Sequence, residues 1–373
     1  FRITEPQLFI PGTNVSELVA PGTPLASLLV SRNELYGTSL ETSLENQSDM
    51  TARFNTGFIA HTLVAGIEVG RETSDPVRFT TTTPYSLTSL VNPDPGDTYN
   101  ASTYLSSRTQ TTALTQAIYA LDTLKFNEQW QLMGGLRLDR FDANFNQTAY
   151  AQGTGAQTGS TAFHHVDVMP SWRGAIVYKP LPNGSIYFDA GTSFDPSAEA
   201  LSLSAATAPL APEKNTTFEL GTKWNLLHER LSLTAAIFKT QQDNLREPSP
   251  TDPSIDILAG NAESKGFTLG VTGHLTEHWQ VLVGYAYTFS EVDKSPVSGP
   301  GSDLGHRLAN VPMHTANLWT TYTLPWKLEI GAGIDYVSSR YASTTPTLAC
   351  PATNSSCTAS TGGVEFWKEV PGY

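Results

Sequence analysis

The chain is short of charge, of cysteine and of long apolar runs. Charged residues fill only 15% of its 373 positions, against about 25% in soluble domains, so an ordinary water-facing surface is poorly supplied. The two cysteines, Cys350 and Cys357, both lie in "CPATNSSC". They exclude a disulfide-framed mini-domain and fall short of a zinc shell; a loop-closing disulfide between them is the preferred reading, two free thiols the alternative. No stretch approaches the ~20 consecutive apolar residues of a membrane helix, and no helical periodicity of useful length is present. The 22 cations against 35 anions give a net charge of -13 without any Lys/Arg cluster, which excludes nucleic acid as a partner. Nucleophile-elbow, P-loop and dinucleotide motifs are missing, so no enzyme is read here. Phe1 opens without a signal-like segment, and the natural N-terminus is expected upstream.

Turn formers are plentiful, with 29 Gly and 24 Pro, and they separate segments of strict alternation. In "HWQVLVGYAYTF" (278–289), Trp279, Val281, Val283, Tyr285, Tyr287 and Phe289 share one side of a strand, because successive strand side chains project to opposite faces. The unit recurs as six hairpins. They comprise residues 49–79 turning at 57–61, 109–126 with 129–146, a pair turning at "LPNGS", "TTFELGTKW" with "RLSLTAAIFKT" through 225–229, a pair turning at 276–278, and "TANLWTTYT" with "KLEIGAGIDYV" at 324–326. Asn183-Gly184 reads as the centre of a type I′ turn, both residues at φ > 0. Long polar stretches near 80–108, 147–166, 194–213, 243–262, 293–309 and 341–372 put tight turns at one end of the strands and long loops at the other.

One strand face is apolar, and the opposite face is expected to carry Glu68, Asp122, Arg137, Asp139, Arg173, Asp189, Glu219, Lys223, Glu329 and Asp335. A two-sheet sandwich would bury the apolar faces against each other. The aromatic grading argues for another medium. Trp130, Trp224, Trp279 and Trp326 stand at or beside tight turns, while Tyr285, Tyr287, Phe289, Tyr336 and Tyr341 gather toward the other strand ends. Trp and Tyr are favoured at headgroup depth with aliphatic groups between, so lipid is the medium read from this pattern. Lipid forces a closed barrel, because an open sheet edge leaves backbone groups unsatisfied in hydrocarbon. The fold class expected is all-β, a transmembrane antiparallel β-barrel segment with short periplasmic turns and long extracellular loops.

Four blocks, 46–72 ("NQSDMTARFNTGFIAHTLVAGIEVGRE"), 191–204 ("GTSFDPSAEALSLS"), 212–250 and 260–292, resemble TonB-dependent siderophore receptors, the catecholate type in particular. The resemblance implies a 22-stranded barrel around an N-terminal plug, of which this chain would supply about 13 strands. Residues 1–373 would then be part of the barrel domain of a Gram-negative outer-membrane receptor, without the plug and the last strands. It implies uptake of a ferric siderophore complex as ligand, outer-membrane lipid as surroundings, the TonB complex as a partner acting through the plug, and no cofactor. A passive porin-like or structural barrel is the alternative, and would bring the first and last strands together.

An anionic, ring-bearing iron complex suits arginines and aromatic faces in the loops. Arg78, Tyr85, Tyr99, Tyr104, Arg108, Arg246, Arg307 and Arg340 are the candidates, each with ordinary loop duty as its competing role. "HLTEH" (274–278) matches a zinc-peptidase spacing, but its alternating flanks place it in a turn instead of the helix that chemistry needs. His164-His165 reads as a loop pair, and the seven N-x-[ST] sequons, Asn100 and Asn354 among them, as a by-product of composition.

Overall fold

The computed structural model describes residues 2–9, 24–27, 29–30, 33–82, 88–89, 91–94, 102–196, 201, 210–248, 256–296, 302–342, 344, 347–349, 364–366 and 369–372. The strands of its main sheet are β1 (Arg2–Phe9), β2 (Asn33–Thr56), β3 (Ile59–Ser74), β4 (Val77–Thr81), β5 (Thr103–Lys125), β6 (Trp130–Tyr150) and β7 (Gln157–Leu181). They continue as β8 (Gly184–Asp195), β9 (Glu213–Leu226), β10 (Leu231–Pro248), β11 (Asp256–His274), β12 (Trp279–Lys294), β13 (His314–Thr323) and β14 (Glu329–Val337). All fourteen belong to one antiparallel sheet, in which nearly every strand pairs with its neighbour in sequence. β4 extends β3 past Asp75-Pro76, since both lie between β2 and β5. Proline has no N–H to give the ladder, which accounts for the break. The sheet thus has 13 strand positions, and β1 and β14 end the path without pairing to each other among the described residues.

The tight turns fall where the alternation places them. The turn at "LPNGS" differs in kind: Leu181 pairs with Gly184, leaving Pro182 and Asn183 as the loop. Neither Asn183 nor Gly184 has positive φ, because proline, fixed near φ −65°, takes a central position that a type I′ turn forbids it. The stretch 147–166 is also mostly strand, with only 151–156 as loop. Strands of 23, 21 and 25 residues in β5, β6 and β7 run far past the apolar alternation. Backbone hydrogen bonds and Thr-rich sequence sustain them there without a greasy face.

Residues paired in register project to the same side. One row joins Phe188, Leu220, Ile237, Phe267, Tyr287 and His314 across β8 to β13. Another joins Ile67, Ile118, Leu138 and Pro170 across β3, β5, β6 and β7. This apolar face is uncovered among the described residues: Leu136 is 72% exposed, Ile334 65% and Ile330 54%. A sandwich would have buried them. Val281, 6% exposed, is an exception within the row of Leu231, Gly273 and Thr320.

Asp122 is a correction. It is in register with Leu63 and Gly134 and in phase with Ile118 and Leu124, so it stands on the apolar face. There it meets His61, Nδ1 to Oδ2 at 2.7 Å, and Phe54 stacks on that imidazole at 4.7 Å.

Candidate functional site: the charged face of the sheet

The other face carries a continuous polar lattice. Two rows, Gln47, Glu68, Ala117, Asp139 and Met169, and Asp49, Gly66, Tyr119, Arg137 and Ser171, cross β2, β3, β5, β6 and β7 side by side. Arg137 is their centre. Its Nε donates to both Asp139 oxygens at 2.9 Å, and its Nη2 reaches Asp139 at 2.7 Å and Glu68 at 3.0 Å. The guanidinium lies 5.3 Å from the Tyr119 ring centre. The Tyr119 hydroxyl donates to Asp49 and accepts from Gln47 at 2.7 Å. Gly66 permits this: a Cβ there would lie 2.6 Å from the tyrosine hydroxyl and from Asp49.

The lattice continues onto β8 and β9. Arg173 Nε donates to Asp189 at 2.8 Å, Tyr187 donates to Glu219 at 2.6 Å, and Lys223 lies over the Tyr187 ring at 5.3 Å. Charged hydrogen bonds of this kind are stronger than neutral ones and hold the side chains in one arrangement. Arg173, 63% exposed, borders a recess of about 340 Å³ with Gln47, Tyr119, Leu121, Gly135 and Arg137. Such a wall can hold a charged polypeptide, and among the described residues it sets no nucleophile beside a base.

Toward the loop end the same face turns apolar. Ala113, Phe141, Ala143, Phe145 and Met169 form a buried cluster against which Phe163, Phe194 and Leu201 pack. Phe194 belongs to the end of β8, and Leu201, beyond it in sequence, lies against the same wall. Beside the cluster His165 meets Asp167 at 2.8 Å, while His164 on the opposite face meets Asp142 at 2.9 Å. "HLTEH" spans the last residue of β11 and the following turn.

The loop candidates do not assemble into one site. Tyr85, Tyr99, Cys350 and Cys357 lie outside the described residues, as do Asn100 and Asn354. Arg78 pairs with Gly37 and Ser107 on the charged face, and Tyr104, opposite Thr80, shares that side. Arg108 pairs with Val77 and Thr148 and projects to the other side. Arg246 is held at the roots of two loops: its backbone N–H donates to Glu213 at 3.2 Å, and its Nη2 to the Asp195 carbonyl at 3.4 Å. Arg307 donates to the Val311 carbonyl at 2.9 Å and lies 5.4 Å over the Tyr341 ring. Arg340 opens a short pairing with Val370. Tyr119 and Gln47 were not singled out from sequence, although Tyr119 is in phase with Ala117 and Leu121, opposite Ile118.

Comparison with known proteins gives one consistent result. The family model described as TonB dependent receptor-like, beta-barrel, matches residues 11–373. A probable TonB-dependent siderophore receptor, PiuA of Acinetobacter baumannii, is 32% identical over 79% of this chain and 43% of its own length. The catecholate siderophore receptor Fiu of Escherichia coli K12 is 30% identical over 83% of this chain and 43% of its own. The closed form of the Fiu structure superimposes with a TM-score of 0.76 at 25% identity, covering 91% of this chain and 50% of that one. The structure of PiuA gives 0.75 at 27%, covering 92% and 50%. This chain spans less than half the length of the curated relatives it matches.

Proposed function

Because the chain belongs to the TonB-dependent receptor β-barrel family, we propose that residues 1–373 supply about thirteen strands of a 22-stranded outer-membrane barrel whose intact form takes up ferric siderophores of the catecholate type. Barrels of this family are those of receptors that sit in the Gram-negative outer membrane. The observation that carries the reading is the uncovered apolar face of a single continuous sheet, with Leu136 72% exposed. Hydrocarbon is the medium in which such a surface is stable, and charged groups then belong on the lumen side.

In this reading the lattice from Gln47 to Lys223 lines the lumen and faces a plug domain, through which the TonB complex acts. Arg78 and Tyr104, on the lumen side near the loop end, with Tyr85 and Tyr99 between them in sequence, are the residues proposed to meet the iron complex. Arg246 and Arg307 serve as loop clamps. No covalent step and no resident cofactor are involved. That β1 and β14 do not pair with each other among the described residues disfavours a closed porin of thirteen strands.

Uptake of radioactive iron as a catecholate complex, by cells whose own catecholate receptors are deleted and which express the full-length protein, tests the proposal. Uptake that requires TonB is the expected result; uptake indifferent to TonB, or none, overturns it.

A further inference from the structure

The apolar face has one indentation with a cationic edge. Ala65 and Ala120, adjacent in register, floor an open cavity of about 790 Å³ walled by Ile67, Ile118, Leu136 and Leu138. In the next row toward the loop end stand Val69, Gln116 and Arg140, and in the row after it Arg71, Leu114 and Asp142. Arg140 reaches Asp142 at 2.7 Å and Gln116 at 3.5 Å while remaining 42% exposed. Arg71 is exposed and makes no ion pair among the described residues. The patch therefore sets two guanidinium groups against one carboxylate, in a chain whose net charge is -13. Elsewhere on this face Lys239 and Lys265 are answered by Glu263 and Glu291, and Arg108 stands farther along β5 toward the loop end, so the excess positive charge of β3, β5 and β6 lies on the loop side of the indentation.

We infer that this patch is a binding site for a phosphorylated, acylated amphiphile of the outer leaflet, with one acyl chain lying over Ala65 and Ala120 and a phosphate held by Arg71 and Arg140. The two arginines stand two strands and one row apart, about 12 Å, which long side chains close around one phosphate. The planar guanidinium fork suits phosphate oxygens. The apolar floor beside the charge selects an amphiphile over free phosphate. The site rests on the reading that this face meets lipid.

Native mass spectrometry of the full-length protein in mild detergent, titrated with bisphosphorylated lipid A and with its dephosphorylated form, tests it. The phosphorylated form is expected to bind at least roughly tenfold tighter, a difference that Arg71→Gln with Arg140→Gln removes and the corresponding Lys pair largely keeps. Ala120→Leu, which touches no charge, is expected to weaken the acylated probe by filling the floor. Equal binding of the two lipids, or a double variant that binds like the parent, overturns the site. Heat-modifiable electrophoretic mobility shows that each variant is folded. Flotation with neutral phospholipid vesicles separates the two readings: a protein that floats without phosphate preference loses only this site, and one that does not float loses the membrane reading as well.

Discussion

Leu136→Lys discriminates between lipid and water on the apolar face. On β6 the residues of this face run from Trp130 through Leu132, Gly134, Leu136 and Leu138 to Arg140. Ten residues at ~3.4 Å each span ~34 Å of strand, or ~24 Å along the normal at a tilt of ~45°, close to the ~25 Å band of membrane barrels. Leu136 then lies ~14 Å from the tryptophan rim and ~10 Å from Arg140, near mid-depth. A lysine there costs roughly 2–4 kcal/mol, and one at Leu132, ~5 Å from the rim, roughly 0–1 kcal/mol.

In water, a side chain already 72% exposed would change stability by no more than about 0.5 kcal/mol on becoming lysine. Gln47→Lys, on the charged face opposite Glu68, is the matched control and is expected within that range. Guanidinium unfolding in phospholipid vesicles, followed by tryptophan fluorescence and extrapolated linearly, measures all three. If Leu136→Lys and Gln47→Lys agree within about 0.5 kcal/mol, hydrocarbon does not cover this face and the barrel reasoning fails.

Arg137→Met leaves Asp139 and Glu68, 18% and 27% exposed, facing each other without their cation, and should cost about 1–3 kcal/mol in the same assay. Glu263, one row beyond Lys265 and Phe289, is held below the ordinary carboxylate range by hydrogen bonds from Lys239 and then Lys265. A lowered folded value means stabilisation at neutral pH that is lost as pH falls through it, so the gap in unfolding midpoint between parent and Glu263→Gln should close below about pH 4. His228 lies between Leu227 and Glu229 in a turn where all three have positive φ, 52°, 59° and 66°. His228→Gly should raise stability by about 1 kcal/mol, as the unfolding midpoint will report. In a double-mutant cycle, His61→Leu or Asp122→Leu alone should destabilise by more than the pair together, and a worst-of-all double variant would refute the pairing.

Strand identity, turn positions and face assignment were legible because alternation is a period-2 signal repeated in every hairpin. Where that signal fades, the reading failed. In 147–166 both faces are polar, so a continuing ladder looks like a loop. At "LPNGS" the proline before Asn-Gly overrides the type I′ signal of that dipeptide. Asp122 is placed on the polar face by its charge but on the apolar face by its phase with Ile118 and Leu124, and the phase decides. Arg78 and Arg108 look alike in sequence, and only the register across Val77 and Ser107 separates them. The cluster around Phe141 lies on strands, but its residues alternate onto the face that charge marks as polar, and Leu201 lies in a stretch with no periodic constraint, so neither is legible from alternation.

The His61–Asp122 pair bears on where the apolar band ends. Gly134, the cross-strand partner of Asp122, stands four residues from Trp130, ~10 Å inside the rim at the tilt used above. A lone carboxylate at that depth would be costly, yet this one shares a 2.7 Å contact with His61, and the imidazole is 12% exposed beneath Phe54. A carboxyl group already hydrogen-bonded to an imidazole costs less to desolvate than one without a partner. The pair is therefore compatible with a hydrocarbon boundary. The row below it, Leu124, Leu132 and Ile176, is apolar again, so Trp130 and Tyr178, whose tilted rings lie 4.6 Å apart, and not Asp122, mark the turn-side edge of the band.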